Sequence, residues 1–282
     1  MLAQRVIEIV FELHNEKYSL KIWRIVSEKI PCGVFFSVFL HGQGSNENFY
    51  NGGMNLVGVL FDFNGTLLFD GELQNESWHE FLEQKVGRKI SEEEFNEHMH
   101  GINEIDALSY FVGKKLSQAQ TEALEEEKEI IYRAKCLALG DEFKLAPGLS
   151  AFLDELKKNK IPFNLATASV MSNVKFFFEH LDLGKWLKMD YVIHKDGKIL
   201  SKPAPDMYLK AAEVIGLQVS DCVIFEDSRM GIKAAKAAHA KKIIGVMSSN
   251  DEETLKSYGA NEVIFDYADL EKVMNFILEE EN

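Results

Sequence analysis

Residues 57–67 read Val-Gly-Val-Leu-Phe-Asp-Phe-Asn-Gly-Thr-Leu. Val57 to Phe61 is a short apolar run with β-branched residues, the mark of a strand buried on both faces. The run stops on a carboxylate, Asp62. It then turns through Asn64-Gly65-Thr66, where glycine supplies the backbone freedom of a tight turn. A buried strand that ends on polar residues belongs to a parallel sheet covered by helices, and the rest of the chain is read outward from it.

Downstream, residues 71–142 are polar and amphipathic, helical in period and poor in strand signals. Beyond them short apolar runs alternate with helical segments. Phe163–Ala166, Tyr191–Ile193, Cys222–Phe225, Ile243–Val246 and Val263–Phe265 read as strands. Leu149–Asn159, Val170–Leu181, Pro205–Ile215, Arg229–Ala238, Glu252–Tyr258 and Leu270–Leu278 read as helices. Strands alternating with helices of this length predict an α/β fold with a doubly wound parallel sheet. The organisation expected is a Rossmann-like core from 54–70 and 143–282, interrupted by a helical cap at 71–142.

Upstream, residues 1–53 differ from the rest. Five basic and five acidic residues leave them neutral, so the whole net charge of -14 sits on residues 54–282. The first thirty residues have the composition of one or two amphipathic helices, and His41–Gly53, rich in Gly and Asn, reads as a linker. Two readings stay open for 1–53, a docking segment or an upstream extension ahead of a start at Met54. No role is assigned to it.

Composition excludes several classes. With 282 residues, 46% hydrophobic and 27% charged, the chain has ample core for a globular fold. A surplus of 45 acidic over 31 basic residues lacks the basic footprint that nucleic acid or an anionic membrane surface requires. The longest apolar run, Gly33–Leu40, falls far short of the roughly 20 residues of a membrane helix. Cys32, Cys136 and Cys222 form no CxxC pair, which fits a reducing cytoplasm better than a disulfide framework.

The chemistry is carried by the residues that directly follow the strands, because ligands of open α/β sheets sit beyond the strands' carboxyl ends. These are Asp62 and Asn64, then Thr167-Ala168-Ser169, then Glu226-Asp227, with Lys202 set between prolines in Ser201-Lys202-Pro203-Ala204-Pro205. Each piece has an ordinary structural reading: a turn, a helix N-cap, a dipole-matching acid, a solvated lysine. In one order, each at a strand end, they instead make one rim able to hold Mg²⁺ and a phosphate.

This ordered set resembles the haloacid dehalogenase superfamily, in particular its phosphatases and β-phosphoglucomutase-like members. LATAS (165–169), SKPAPDMYLKAAEVIG (201–216) and VIFEDSRMGIKAAKAA (223–238) carry the likeness, which runs from about Leu56 to the C-terminus, some four-fifths of the chain. The resemblance implies Asp62 as the nucleophile that forms an aspartyl-phosphate. It implies Thr167, Ala168 and Ser169 with Lys202 around the phosphoryl oxygens. It also implies Mg²⁺ on Asp62, the main-chain carbonyl of Asn64 and Asp227, with Glu226 close by.

Two departures modify the expectation. Asn64 stands where the family's phosphatases usually carry the acid/base Asp, and an amide has no proton to exchange. Loss of general acid–base catalysis is a roughly 10²–10⁴-fold effect, least for good leaving groups such as acyl or aryl phosphates. Glu72, His98 and His100 are candidate replacement donors, each with an ordinary structural reading. In the cap, Glu104 stands about where β-phosphoglucomutases have a phosphate-gripping arginine, and Gln74 where many relatives have histidine. A sugar-phosphate mutase is therefore disfavoured, and one phosphate on a neutral or cationic body fits better. Dehalogenases need no acidic pair like Glu226-Asp227. Phosphonate hydrolases need a cap lysine that His98–Val112 lacks.

The expected function is thus a slow Mg²⁺-dependent phosphatase of a small phosphorylated metabolite. The alternative is a binding or regulatory protein that keeps the pocket without turnover.

Overall fold

The computed structural model describes residues 13–15, 18–24, 36–41, 57–99 and 102–278. The chain divides into two compact units, 1–54 and 55–282. In the first, β1 (Leu13–Asn15), β2 (Tyr18–Arg24) and β3 (Phe36–His41) form an antiparallel sheet in the order β1-β2-β3, with Leu20 opposite Leu40 and Ile22 opposite Val38. This corrects the expectation of amphipathic helices for this stretch. Leu20 and Ile22 alternate with Ser19 and Lys21 in steps of two, the strand period, and β3 supplies a partner. Cys32 and the linker beyond His41 lie outside the described residues.

The second unit is built on a six-stranded parallel sheet. Its strands are β4 (Gly58–Phe61), β5 (Phe163–Val170), β6 (Ile193–Lys195), β7 (Cys222–Glu226), β8 (Lys242–Val246) and β9 (Glu262–Ile264), in the order β6-β5-β4-β7-β8-β9. The chain leaves β4 to lay β5 and β6 on one side and returns to place β7 on the other. The topological switch, where such sheets bind ligands, therefore falls at the carboxyl end of β4. Register puts Phe61 beside both Leu165 and Phe225, so Asp62, Thr167 and Glu226 emerge on one edge.

Helices α5 (Leu149–Lys158), α6 (Met171–His180), α7 (Asp206–Val214), α8 (Arg229–Ala237), α9 (Glu252–Tyr258) and α10 (Leu270–Leu278) cover the sheet, within one or two residues of the sequence expectation. One strand differs. Met189–Tyr191 is a 3-10 turn that leaves Tyr191 exposed, and β6 begins at Ile193, which pairs with Ala166. Under the site the core is aromatic: Phe61 stacks on Phe225 at 5.2 Å, and Phe152 stacks on Tyr267 at 5.4 Å. Such rings bring large buried area and fixed geometry, a stiff floor for the loops above.

Between β4 and β5 the chain forms α1 (Gly71–Val86), α2 (Glu92–Met99), α3 (Glu104–Val112) and α4 (Gln118–Ala138). Asn103 caps α3, and Ser117 with Gln120 makes a capping box on α4. These helices enclose a small core of their own, formed by Phe81, Leu82, Ile90, Phe95, Leu108, Phe111 and Leu116.

Candidate active site

Asp62 follows β4 and is held from behind by its own N–H, which donates to Phe225 O at 3.0 Å. Lys202, from the loop before α7, donates to Asp62 Oδ1 at 2.5 Å and to Glu226 Oε1 at 2.7 Å. Glu226 is 1% exposed, and its other donors are Tyr208 OH at 2.9 Å, Ser228 N at 2.9 Å and Ser228 Oγ at 3.0 Å. Both its oxygens are thus occupied, and it acts on Lys202 from beneath. Asp227 accepts from Thr66 Oγ1 at 3.2 Å through one oxygen.

Two glycines let these groups approach. Gly65 has φ of +78°, and a Cβ there would lie 2.1 Å from Asp227 Oδ2. At Gly231 a Cβ would lie 1.5 Å from Glu226 Oε1.

Asp62, Glu226 and Asp227 each present an oxygen within 4.8 Å of the others. Three buried carboxylates face one ammonium. Burial pushes Asp62 up to about 7 against the pull of Lys202. Asp227 is driven well above the carboxylate range by burial and by the neighbouring Glu226 and Asp62. Burial alone would lower Lys202, yet Asp62 and Glu226 carry it up to about 12. An all-oxygen donor set with an uncompensated negative charge fits a hard divalent cation.

Asn64 is turned aside from this cluster. Its Nδ2 donates to Asp70 Oδ2 at 2.7 Å and to Tyr132 OH at 3.3 Å, and its Oδ1 accepts from Ser169 Oγ at 2.7 Å. Asp70, only 2% exposed, also accepts from Tyr132 OH at 2.6 Å, Gln74 Nε2 at 3.0 Å and Gly65 N at 3.0 Å. Thr167 is buried, with Oγ1 accepting from Ser169 N at 3.1 Å, while Ala168 is exposed on the rim.

Of the candidate proton donors, Glu72 is exposed on the first turn of α1, and His98 is stacked on Tyr110 with centroids 3.6 Å apart. His100 lies outside the described residues. Sequence reasoning did not single out Asp70, Tyr132, Tyr208 or Lys195. Asp70 stood in the same loop as Asp62. The other three are brought in by the fold from more than sixty residues away.

Above the sheet edge, a cavity of about 850 Å³ is lined by Ala168, Ser201 and Lys202 from the core and by Trp78, Met99 and Glu104 among others from the helical block.

A switch-point carboxylate paired with a buried lysine and an acidic cluster is the arrangement that a hydrolase with a carboxylate nucleophile would need. The chain belongs to the haloacid dehalogenase-like hydrolase family, whose match covers residues 57–239. It is 28% identical over 203 residues to the phosphorylated carbohydrates phosphatase of Thermotoga maritima, covering 72% of this chain and 91% of that one. With glycerol-1-phosphate phosphohydrolase 2 of Saccharomyces cerevisiae it shares 28% identity over 213 residues, 73% of this chain and 80% of the yeast protein. Among solved structures, a family IA, variant 3 HAD hydrolase from Entamoeba histolytica is 35% identical with a TM-score of 0.71, covering 79% of this chain and 100% of that one.

Proposed function

We propose that this chain is a Mg²⁺-dependent phosphatase of a small phosphomonoester or acyl phosphate, working through an aspartyl-phosphate on Asp62. The observation that carries it is the Asp62–Lys202–Glu226 chain of contacts beside Asp227, at the switch point of the sheet. The named relatives, both phosphatases of phosphorylated small molecules, support it.

In this reading, Asp62, the carbonyl of Asn64 and Asp227 hold the cation, with Glu226 bracing Lys202. Bound Mg²⁺ supplies positive charge that keeps Asp62 ionised and screens it from an incoming phosphate. An Asp62 oxygen attacks phosphorus, the bond from phosphorus to the leaving oxygen breaks, and an acyl phosphate forms. Lys202, Thr167 Oγ1 and the backbone N–H of Ala168 steady the phosphoryl oxygens, with the Ser169 N–H holding Thr167 Oγ1 in place. Water then attacks phosphorus, the bond to Asp62 breaks, and the carboxylate and inorganic phosphate are released. Asn64 gives the leaving oxygen no proton, so that proton comes from solvent. Acyl and aryl phosphates therefore turn over faster than alkyl ones. The helices of 71–142 serve as the cap that closes the cavity. The free, buried Cys136 and Cys222 accord with a reducing, cytoplasmic setting.

A second reading, a binding protein without turnover, is favoured by one observation: Asn64, an amide with no proton to exchange, is tied to Asp70 and Ser169. Phosphate release from acetyl phosphate and 4-nitrophenyl phosphate, with Mg²⁺ or with EDTA, separates the two. Mg²⁺-dependent release that vanishes in Asp62→Asn supports the enzyme. Tight Mg²⁺ and phosphate binding without release supports the second reading.

A further inference from the structure

The chamber above Lys202 has two unlike ends. On the core side it is lined by Ala168, Ser201 and Lys202, at the polar edge of the sheet. On the side of the helical block it is lined by Trp78 of α1, Met99 at the end of α2, and Ile102 and Ile105 around the start of α3. Ile102 is 40% exposed, and Trp78 and Met99 are only half-buried. Single apolar side chains on a surface mean little, but several that converge on one concavity beside a charged end mark a ligand site.

The indole of Trp78 is held in place. Lys128 Nζ stands over its ring at 5.0 Å from the centroid, and Phe81 packs against it edge-on at 6.0 Å. With Phe95, Trp78 and Met99 also line a second cavity of about 240 Å³, so the apolar wall continues past them. The charged groups of the chamber wall are already engaged. Lys195 Nζ donates to Glu104 and to Glu125, which leaves it a poor anchor for a second anion. Asp106, exposed near the start of α3, accepts from Asn103 Nδ2.

We infer that Trp78, Met99 and Ile102 form a subsite for an aromatic ring, and that the substrate is an aryl monophosphate phosphorylated on its phenolic oxygen. This deepens the phosphatase reading above and rests on it. Two independent features agree on the ring. The wall offers it an indole, a thioether and a branched alkyl group, the usual neighbours of an aromatic ligand. Asn64, in turn, has no proton to give a leaving oxygen. A phenol titrates at about 10, as tyrosine does, whereas an alkyl alcohol lies near water's value of about 16. In the transfer an Asp62 oxygen bonds to phosphorus as the bond from phosphorus to the phenolic oxygen breaks. The electron pair stays on that oxygen, and the phenolate takes its proton from solvent. Acetyl phosphate needs an acid as little, but it brings no ring to the wall and leaves most of a chamber of about 850 Å³ unfilled.

The test compares wild type, Trp78→Ala and Ile102→Ala in Mg²⁺ buffer on phenyl, benzyl and acetyl phosphate. Benzyl phosphate keeps the ring but leaves as an alcohol, and acetyl phosphate keeps the good leaving group without a ring. Wild type should turn over phenyl phosphate about a hundredfold faster than benzyl phosphate. Rates within threefold of each other overturn the aryl assignment. The ratio of kcat/KM for phenyl over acetyl phosphate should fall about tenfold in Trp78→Ala and about threefold in Ile102→Ala. Ile102 is exposed, so its truncation tests the wall without loosening a core. A ratio that moves less than twofold in both variants overturns the subsite.

Calorimetry with phenylphosphonate and methylphosphonate, which carry no ester oxygen to expel, decides the subsite without turnover. Binding of phenylphosphonate about tenfold tighter than methylphosphonate, lost in Trp78→Ala, supports it. Equal affinity for the two in wild type overturns it. A preference for phenylphosphonate without phosphate release from any of the three substrates counts against the phosphatase reading alone.

Discussion

Asn64 Nδ2 lies 2.7 Å from Asp70 Oδ2, so the amide that replaces the expected acid is a donor to a buried carboxylate. In Asn64→Asp the same contact would bring two carboxylates together, and such a pair shares one proton. That proton is what alkyl phosphates lack. Asn64→Asp should therefore raise kcat on alkyl phosphates by about 10²–10⁴ and change acetyl phosphate turnover little. It should also destabilise the fold increasingly as pH rises and the shared proton leaves. The double variant Asn64→Asp/Asp70→Asn restores one carboxylate and one amide, and its melting temperature should return toward wild type. Phosphate release and thermal melts against pH check both.

Lys202 is the ammonium that touches both Asp62 and Glu226. Lys202→Met keeps much of the side chain's volume but strands two buried carboxylates. Breaking a buried pair from one side costs about 3–5 kcal/mol. Urea unfolding in EDTA should show that loss, and added Mg²⁺ should recover part of it by replacing the missing charge. In wild type, saturating Mg²⁺ should raise the melting temperature, because a ligand bound only to the native state stabilises it. Asp227→Asn should abolish that rise.

Glu125 sets a pH dependence independent of the metal cluster. Burial, with help from the neighbouring Glu104, pushes its carboxyl up to about 8, while the Lys195 ammonium pulls the other way. The folded form then holds a proton that the unfolded chain, titrating near the ordinary carboxylate value of 4.5, has released. Stability from this group is complete below about pH 4.5 and is lost as pH rises toward about 8. Glu125→Gln keeps the neutral form at every pH, so the slope of unfolding free energy against pH between those limits should flatten. Urea titrations from pH 5 to 9 provide the measurement.

The core was readable because its signals are local. Each buried strand is a short apolar run, and each of Asp62, Thr167 and Glu226 lies at the end of one, so their order along the chain foretold a shared edge. The pairing of Glu104 with Lys195 was not legible because the two are ninety-one residues apart, and nothing in the local pattern of either residue announces the other. The β6 boundary slipped because Tyr191-Val192-Ile193 is apolar throughout, and only packing decides that Tyr191 turns outward. In residues 1–53 the charges mimicked an amphipathic helix, while the two-residue alternation in Tyr18–Arg24 was the better guide to the strand that formed.

Gly231 offers the most local test of how the site is braced. Its missing Cβ leaves room for Glu226, which a methyl group would meet at 1.5 Å from Oε1. Gly231→Ala must therefore displace the carboxylate that Lys202, Tyr208 and Ser228 hold, and Lys202 loses its rest beneath Asp62. The backbone at Gly231 is ordinary helix in α8, so alanine should favour the helix by about 1 kcal/mol, and any loss reports the displaced carboxylate. The expected result is a fall in melting temperature together with a fall in kcat for acetyl phosphate. Gly184→Ala is the matched control, because among the described residues a Cβ there meets nothing within 4 Å, and its effect should stay within about 0.5 kcal/mol. Equal behaviour of the two variants would mean that Glu226 does not brace the lysine.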